Sequence, residues 1–137
     1  MAITTAICNS YKQEILEGVH ASGDVYKIAL FTSAATLGAT TTAYATTNEV
    51  SGVGYTAGGE TLANFASGLS TGTAYVTFDD ATWTSATITA RGALIYNSSK
   101  SNKAVAVFDF GSDIVSTSGT FTVDLPAAGA NALIRIA

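Results

Sequence analysis

Few residues in this chain carry the groups that catalysis or metal binding requires. His20 is the one histidine and Cys8 the one cysteine, so a Ser-His-Asp or Cys-His arrangement would have to run through His20. His20 lies in a polar stretch with no nucleophile elbow near it, and a histidine so placed reads as a solvated loop residue. Cys8 falls on an apolar helical stripe, where a thiol is buried and inert. An acid and base pair needs only two carboxylates a few ångströms apart, and Glu60, Asp79, Asp80, Asp109, Asp113 and Asp124 are the candidates. Asp79-Asp80 reads as a turn whose Asx side chains bond their own backbone. Asp109 alternates with core positions of a strand, and Asp113 sits in a Gly111-to-Gly119 turn region. No DxDxDG ladder marks a calcium loop. The run Gly52-Val-Gly54-Tyr-Thr-Ala-Gly58-Gly59 lacks the Lys-Ser/Thr ending of a phosphate-binding loop, and no helical pattern follows it. Its glycines read as turn formers. Trp83, Tyr44 and Tyr55 could stack on sugar rings, which keeps a carbohydrate- or receptor-binding module as an alternative.

The elements that must carry these residues are mostly strands. Cys8, Tyr11, Ile15 and Val19 recur at helical spacing, with Leu16 widening the stripe, so one helix is expected within residues 1–20. Thr5 or Ser10 could cap it, the latter with Gln13 at capping-box spacing, and Gly18 supplies the stop. From Tyr26 the period becomes two. Ala74, Val76 and Phe78, then Ala86, Ile88 and Ala90, then Phe121, Val123 and Leu125 alternate with Thr-rich outer positions. Ala93–Tyr96 and Ala104–Phe108 are apolar on both faces and should be central strands with something packed on each side, a cover that the helix and a neighbouring subunit could supply. The expected fold is mainly β, one domain over 1–137, an antiparallel β-sandwich of which a jelly roll is one form, with one short N-terminal helix.

Residues 33–59 form a long Thr/Ala/Gly-rich loop whose one charge is Glu49. A connection of that length carries function or some structure of its own. A short helical turn over Tyr44 to Asn48 is one form it could take. The loop could anchor a partner through its tyrosines, or simply cover the end of its own sandwich.

Composition points away from turnover. Charged residues are 12% of the chain, about half of the ~25% usual for a soluble domain, while hydrophobic residues make up 47%. A surface of hydroxyls and amides is more easily desolvated than one of carboxylates and ammonium groups, which favours assembly. A net charge of −4 with scattered basic residues argues against direct nucleic-acid binding. The N-terminal residues read as neither signal peptide nor membrane span. No catalytic, cofactor or metal residue is assigned. The candidate protein contacts are Tyr44, Glu49 and Tyr55 in the long loop and Thr87, Thr89 and Arg91 on an outward strand face.

Six strings, NSYKQEILEGVH, YKIALFTSAATLGATTTAY, NEVSGVGYTAGGETL, ITARGALIYNSS, NKAVAVFDFGSD and ALIRIA, together cover much of the chain. In these the chain resembles small virion structural proteins of tailed bacteriophages, with the GYTAGG turn and the ITARGALIYN and AVFDFGSD strands the most distinctive parts. The resemblance implies a non-enzymatic virion component assembled in the host bacterial cytoplasm. A capsid cement or decoration protein bridging major capsid subunits comes first, and a neck or tail component second. It also implies a homo-oligomer, a trimer where the lattice has local three-fold points, and it brings no catalytic residues.

Overall fold

Alternation of small apolar residues with threonine favours pairing into sheets, and the chain takes that course almost throughout. The structure is a computed structural model and describes residues 2–129 and 132–136. Its elements in chain order are β1 (Ala6–Ile7), α1 (Asn9–Leu16), β2 (Tyr26–Phe31), β3 (Glu60–Thr61), β4 (Ala66–Ser70), β5 (Thr73–Thr77), β6 (Ala81–Asn97), a 3-10 turn (Ser98–Lys100), β7 (Lys103–Val123) and β8 (Ile134–Ile136). They form two sheets, β1-β7-β6-β2-β3 and β4-β5-β8, with antiparallel neighbours throughout. The chain is therefore mainly β and sandwich-like, with one helix near the N-terminus, as its periodicity implies.

The helix is shorter than its apolar spacing suggests. Ile3 bridges Leu37, and Ala6 and Ile7 pair with Val107 and Ala106 of β7, because the β-branched run Ile3-Thr4-Thr5 fits a pleated edge better than a helical turn. Neither Thr5 nor Ser10 caps α1. Cys8 occupies that position in extended conformation without a side-chain capping bond, and its own N–H goes to the Val105 carbonyl. Gly18 does end the helix, at φ +75, with its N–H on Ile15 and that of Val19 on Glu14, a Schellman pair of bonds. Leu16 is 87% exposed, so the buried stripe is narrower than expected.

β6 and β7 form one long ribbon. β7 spends 21 residues where β6 spends 17; the excess is taken up between Ala90 and Gly92 and between Ile95 and Tyr96, while two shifts around Ala86 cancel. Such bulges bend and coil a ribbon. No turn separates Gly111 from Gly119 as expected, and Asp113 lies within β7. Positive φ at Gly111, Ser118 and Ser85 serves bulges instead. Asp79 and Asp80 also differ from expectation. Asp79 accepts from the Asn64 amide, and Asp80 from the Leu125 N–H at 2.6 Å, so both tie distant segments rather than their own turn. Along β6, Ala86, Ile88 and Ala90 are buried while Thr87 and Thr89 are exposed, as the alternation requires. Residues 93–96 and 104–107 are buried on both faces at the centre of the larger sheet.

One of those faces is covered by α1, whose Tyr11 ring meets His20 and, through it, Tyr26. The other is covered by the chain itself rather than by a neighbouring subunit. The loop pairs at Ala43 with Lys103 of β7 and at Glu49 with Phe31 of β2. Between these points it passes across β6, which lies between β7 and β2. Tyr44 stacks flat on Tyr96 there, ring centres 4.5 Å apart. No helical turn forms over Tyr44 to Asn48; Thr47 and Asn48 make a tight turn, with Asn48 at φ 61.

Candidate functional site

The one carboxylate of the long loop is the hub of its attachment. Glu49 accepts from the Tyr44 hydroxyl at 2.6 Å, from the Tyr55 hydroxyl, and from the Gly58 N–H at 2.8 Å. The Tyr55 oxygen in turn accepts the Leu30 N–H at 2.9 Å, and Tyr96 donates to the Gly58 carbonyl at 2.7 Å. Burial, reinforced by the bond to Glu49, pushes both Tyr44 and Tyr55 above the ordinary phenol range. The two rings are thus held neutral, donating to one carboxylate. The glycines beside them are fitted closely. At Gly59, with φ +78, a Cβ would collide with the Ile28 carbonyl oxygen, so turn geometry and close approach, rather than phosphate binding, explain that residue.

Apart from Glu49 itself, the depression beside this hub is lined by uncharged side chains. Glu49, Thr87 and Thr89 line one shallow depression of about 340 Å³ together with Thr32, Ser51 and Val115. Val53 bridges Thr87, and Thr89 lies opposite Val115. Val53 is 71% and Val115 66% exposed. Three of the six sequence candidates therefore meet on one face, with Tyr44 and Tyr55 beneath as the donors that hold Glu49. Arg91 stands apart. It sits in the irregularity between Ala90 and Gly92 and pairs with Asp109 at 3.0 Å, and the Gly111 N–H and the Arg91 guanidinium hold the Asp109 carboxyl below its usual range. The apolar neighbours Val53 and Val115 were not among the sequence candidates, because an exposed valine and a buried one look alike in an alternating strand.

The residues with chemical potential are spent elsewhere. His20 was expected to be a solvated loop residue, but its side chain is only 2% exposed. The Asn97 carbonyl oxygen accepts the Ser99 N–H, so the Asn97 amide nitrogen faces His20 Nδ1 at 3.0 Å and Asp24 at 2.8 Å. Nδ1 must then accept, which leaves the ring proton on Nε2, pointing at Glu14 2.9 Å away. Both ring nitrogens are thus engaged within the chain. Asp24 also takes Lys100 at 2.9 Å, and the Asn97 bond together with that ammonium lowers its carboxyl to about 2. Asn97, at the end of an otherwise apolar run, is the sequence signal for this network. Cys8 is fully buried, and burial raises its thiol to about 11, which removes it as a nucleophile.

Trp83 is 2% exposed, with Tyr55 and Phe121 against it. Trp83 is thereby closed to a sugar ring, while Tyr44, stacked on Tyr96, and Tyr55, against Trp83, are each half-buried. Among the described residues no group of three His, Cys, Asp or Glu side chains is placed to hold a metal ion, and no helix is long and apolar enough to cross a membrane. No protein-family model, curated protein or solved structure matches the chain.

Proposed function

We propose that this chain is a non-enzymatic structural protein of a tailed-bacteriophage particle, a capsid cement protein that bridges major capsid subunits. The observation that carries the reading is the neutral strip of Val53, Thr87, Thr89 and Val115 beside Glu49. Such a strip loses little on desolvation and gains from apolar burial, so it suits permanent contact with protein. The sequence resemblance to virion proteins names the particle. Many copies, each making a modest contact, would stiffen a shell through multiplied area rather than one tight site. The protein would be made in the host bacterial cytoplasm, join the virion there and bind no nucleic acid directly. A homo-oligomer, trimeric at local three-fold points, fits such a lattice.

The test is the composition and imaging of purified particles. Density for this chain repeated over the head, lost when Val115→Lys is introduced into an otherwise folded protein, supports the reading. Particles that lack the chain refute it, and density confined to the neck or tail replaces cement with a tail component.

A further inference from the structure

Among the described residues, the β4 edge of the smaller sheet carries no further strand. β4 and β5 are joined by Thr71 and Gly72, at φ 49 and 82, with Ser70 opposite Thr73. Two central residues with positive φ make a type I′ turn, and the pair closing such a turn exchanges both of its hydrogen bonds. Bonded and non-bonded pairs then alternate along an antiparallel ladder. Gly68 opposite Tyr75 is therefore a bonded pair, whereas Ser67 and Leu69, opposite Val76 and Ala74, aim their N–H and C=O groups away from β5. Among the described residues no strand lies on that side, and no hydrogen bond beyond the β5 ladder involves Ser67 or Leu69.

Exposed edges are normally blunted by charge, proline, brevity or cover. Here β1 and β3 are two residues long, and β3 carries Glu60. At β8, the outward backbone groups belong to Arg135, because Ile134 and Ile136 pair with Val76 and Ala74. β4, Ala-Ser-Gly-Leu-Ser, has five residues with no charge and no proline, and its Leu69 is 73% exposed. Unpaired backbone donors and acceptors in this pattern are complementary to another strand.

We propose that β4 is a self-association seam on which a second copy of this chain pairs its own β4, antiparallel, about a two-fold axis at Gly68. In that register Ser67 of each copy faces Leu69 of the other, so both sets of outward groups are satisfied and two three-stranded sheets become one of six. Gly68 faces its own counterpart at a non-bonded pair, where backbones come closest and the lack of a side chain removes the obstacle. The Tyr75 ring already covers Gly68 within the chain, so that a Cβ there would lie 2.7 Å from the phenol oxygen. The seam rests on the assembly reading only in taking a second copy as the partner. It requires no virion.

The test uses the purified full chain. Sedimentation from about 10 μM to about 1 mM covers the range expected for an interface at the small end of specific ones, and amide exchange is followed at both ends of the range. A dimer should form, with Ser67 and Leu69 amides slowed at least tenfold on concentration while Gly68, already bonded to β5, changes little. Leu69→Pro removes an outward N–H that β5 does not use, and Leu69→Lys places two like charges near one another across the axis. Both should remain monomeric, with β5 and β8 amides as protected as in the wild type. A monomer throughout, any oligomer whose Ser67 and Leu69 amides exchange as before, or equal association of both variants overturns the seam. Particle imaging bears on the cement reading alone, so the two can fail separately.

Discussion

Removing the Glu49 carboxylate should loosen the long loop from the sheet it crosses. Glu49→Ala takes the shared acceptor from two tyrosine hydroxyls and the Gly58 N–H. A hydrogen bond to a charged group contributes about 1.5–3 kcal/mol, and a buried donor left unsatisfied costs about 1–3 kcal/mol. Glu49 is only partly buried, so water replaces some of what is lost, and about 3 kcal/mol is the expected loss. Glu49→Gln keeps an acceptor oxygen without the charge and should cost about 1 kcal/mol. Trp83, the one tryptophan, lies against Tyr55, so its fluorescence during denaturant unfolding reads both stability and loop attachment. A cycle with Tyr44→Phe should give a coupling of about 1 kcal/mol with Glu49→Ala. Proteolysis in the exposed stretch from Ala45 to Thr47 should quicken in the same order as the losses. If Glu49→Ala stays within about 0.5 kcal/mol of wild type and cleavage is unchanged, the carboxylate is not what holds the loop.

Acid should act through Asp24, whose folded value of about 2 lies below the ordinary 3.8. Its contribution is complete above the unfolded value and is lost as pH falls through about 2. Asp24→Asn should be less stable at neutral pH and show a flatter acid limb in denaturation midpoints measured against pH. Alkali acts in the opposite sense through Tyr44 and Tyr55. Their folded values lie above 10.0, so their stabilisation is present below that pH and lost as pH rises past it, and Tyr55→Phe should lessen the alkaline fall. Gly59→Ala should cost at least about 3 kcal/mol or prevent folding, because both the positive φ and the Ile28 carbonyl oppose a side chain. Leu16→Lys should stay within about 0.5 kcal/mol of wild type, given its exposure. Thermal melts check both substitutions.

What could be read from the sequence was what alternation decides. Ala86, Ile88 and Ala90 against Thr87 and Thr89 gave the strand and its faces, and the doubly apolar runs at 93–96 and 104–107 gave the centre of the sheet. Where local chemistry serves two geometries, the reading failed. Gly111 and Ser118 suit a turn and a bulge alike, and only the length of the ribbon chooses between them. Leu16 has helical spacing whether or not anything packs on it. His20 has polar neighbours in sequence, yet its burial depends on Asn97 arriving from a strand 77 residues away. The candidate face was half legible. Glu49 stood out as the one charge in a neutral loop, but its three donors, Tyr44, Tyr55 and Gly58, sit in the same loop at no regular spacing that would mark them as its partners.

That crossing bears on how the protein can be supplied. Obligate oligomers leave each partner with half a core, so their stability depends on protomer concentration. Here Tyr44 and its neighbours close the sheet from within one molecule. On the proposed assembly role, each copy could therefore be synthesised and finished as a dilute pool before docking, and docking could reverse and correct itself while the fold stays whole.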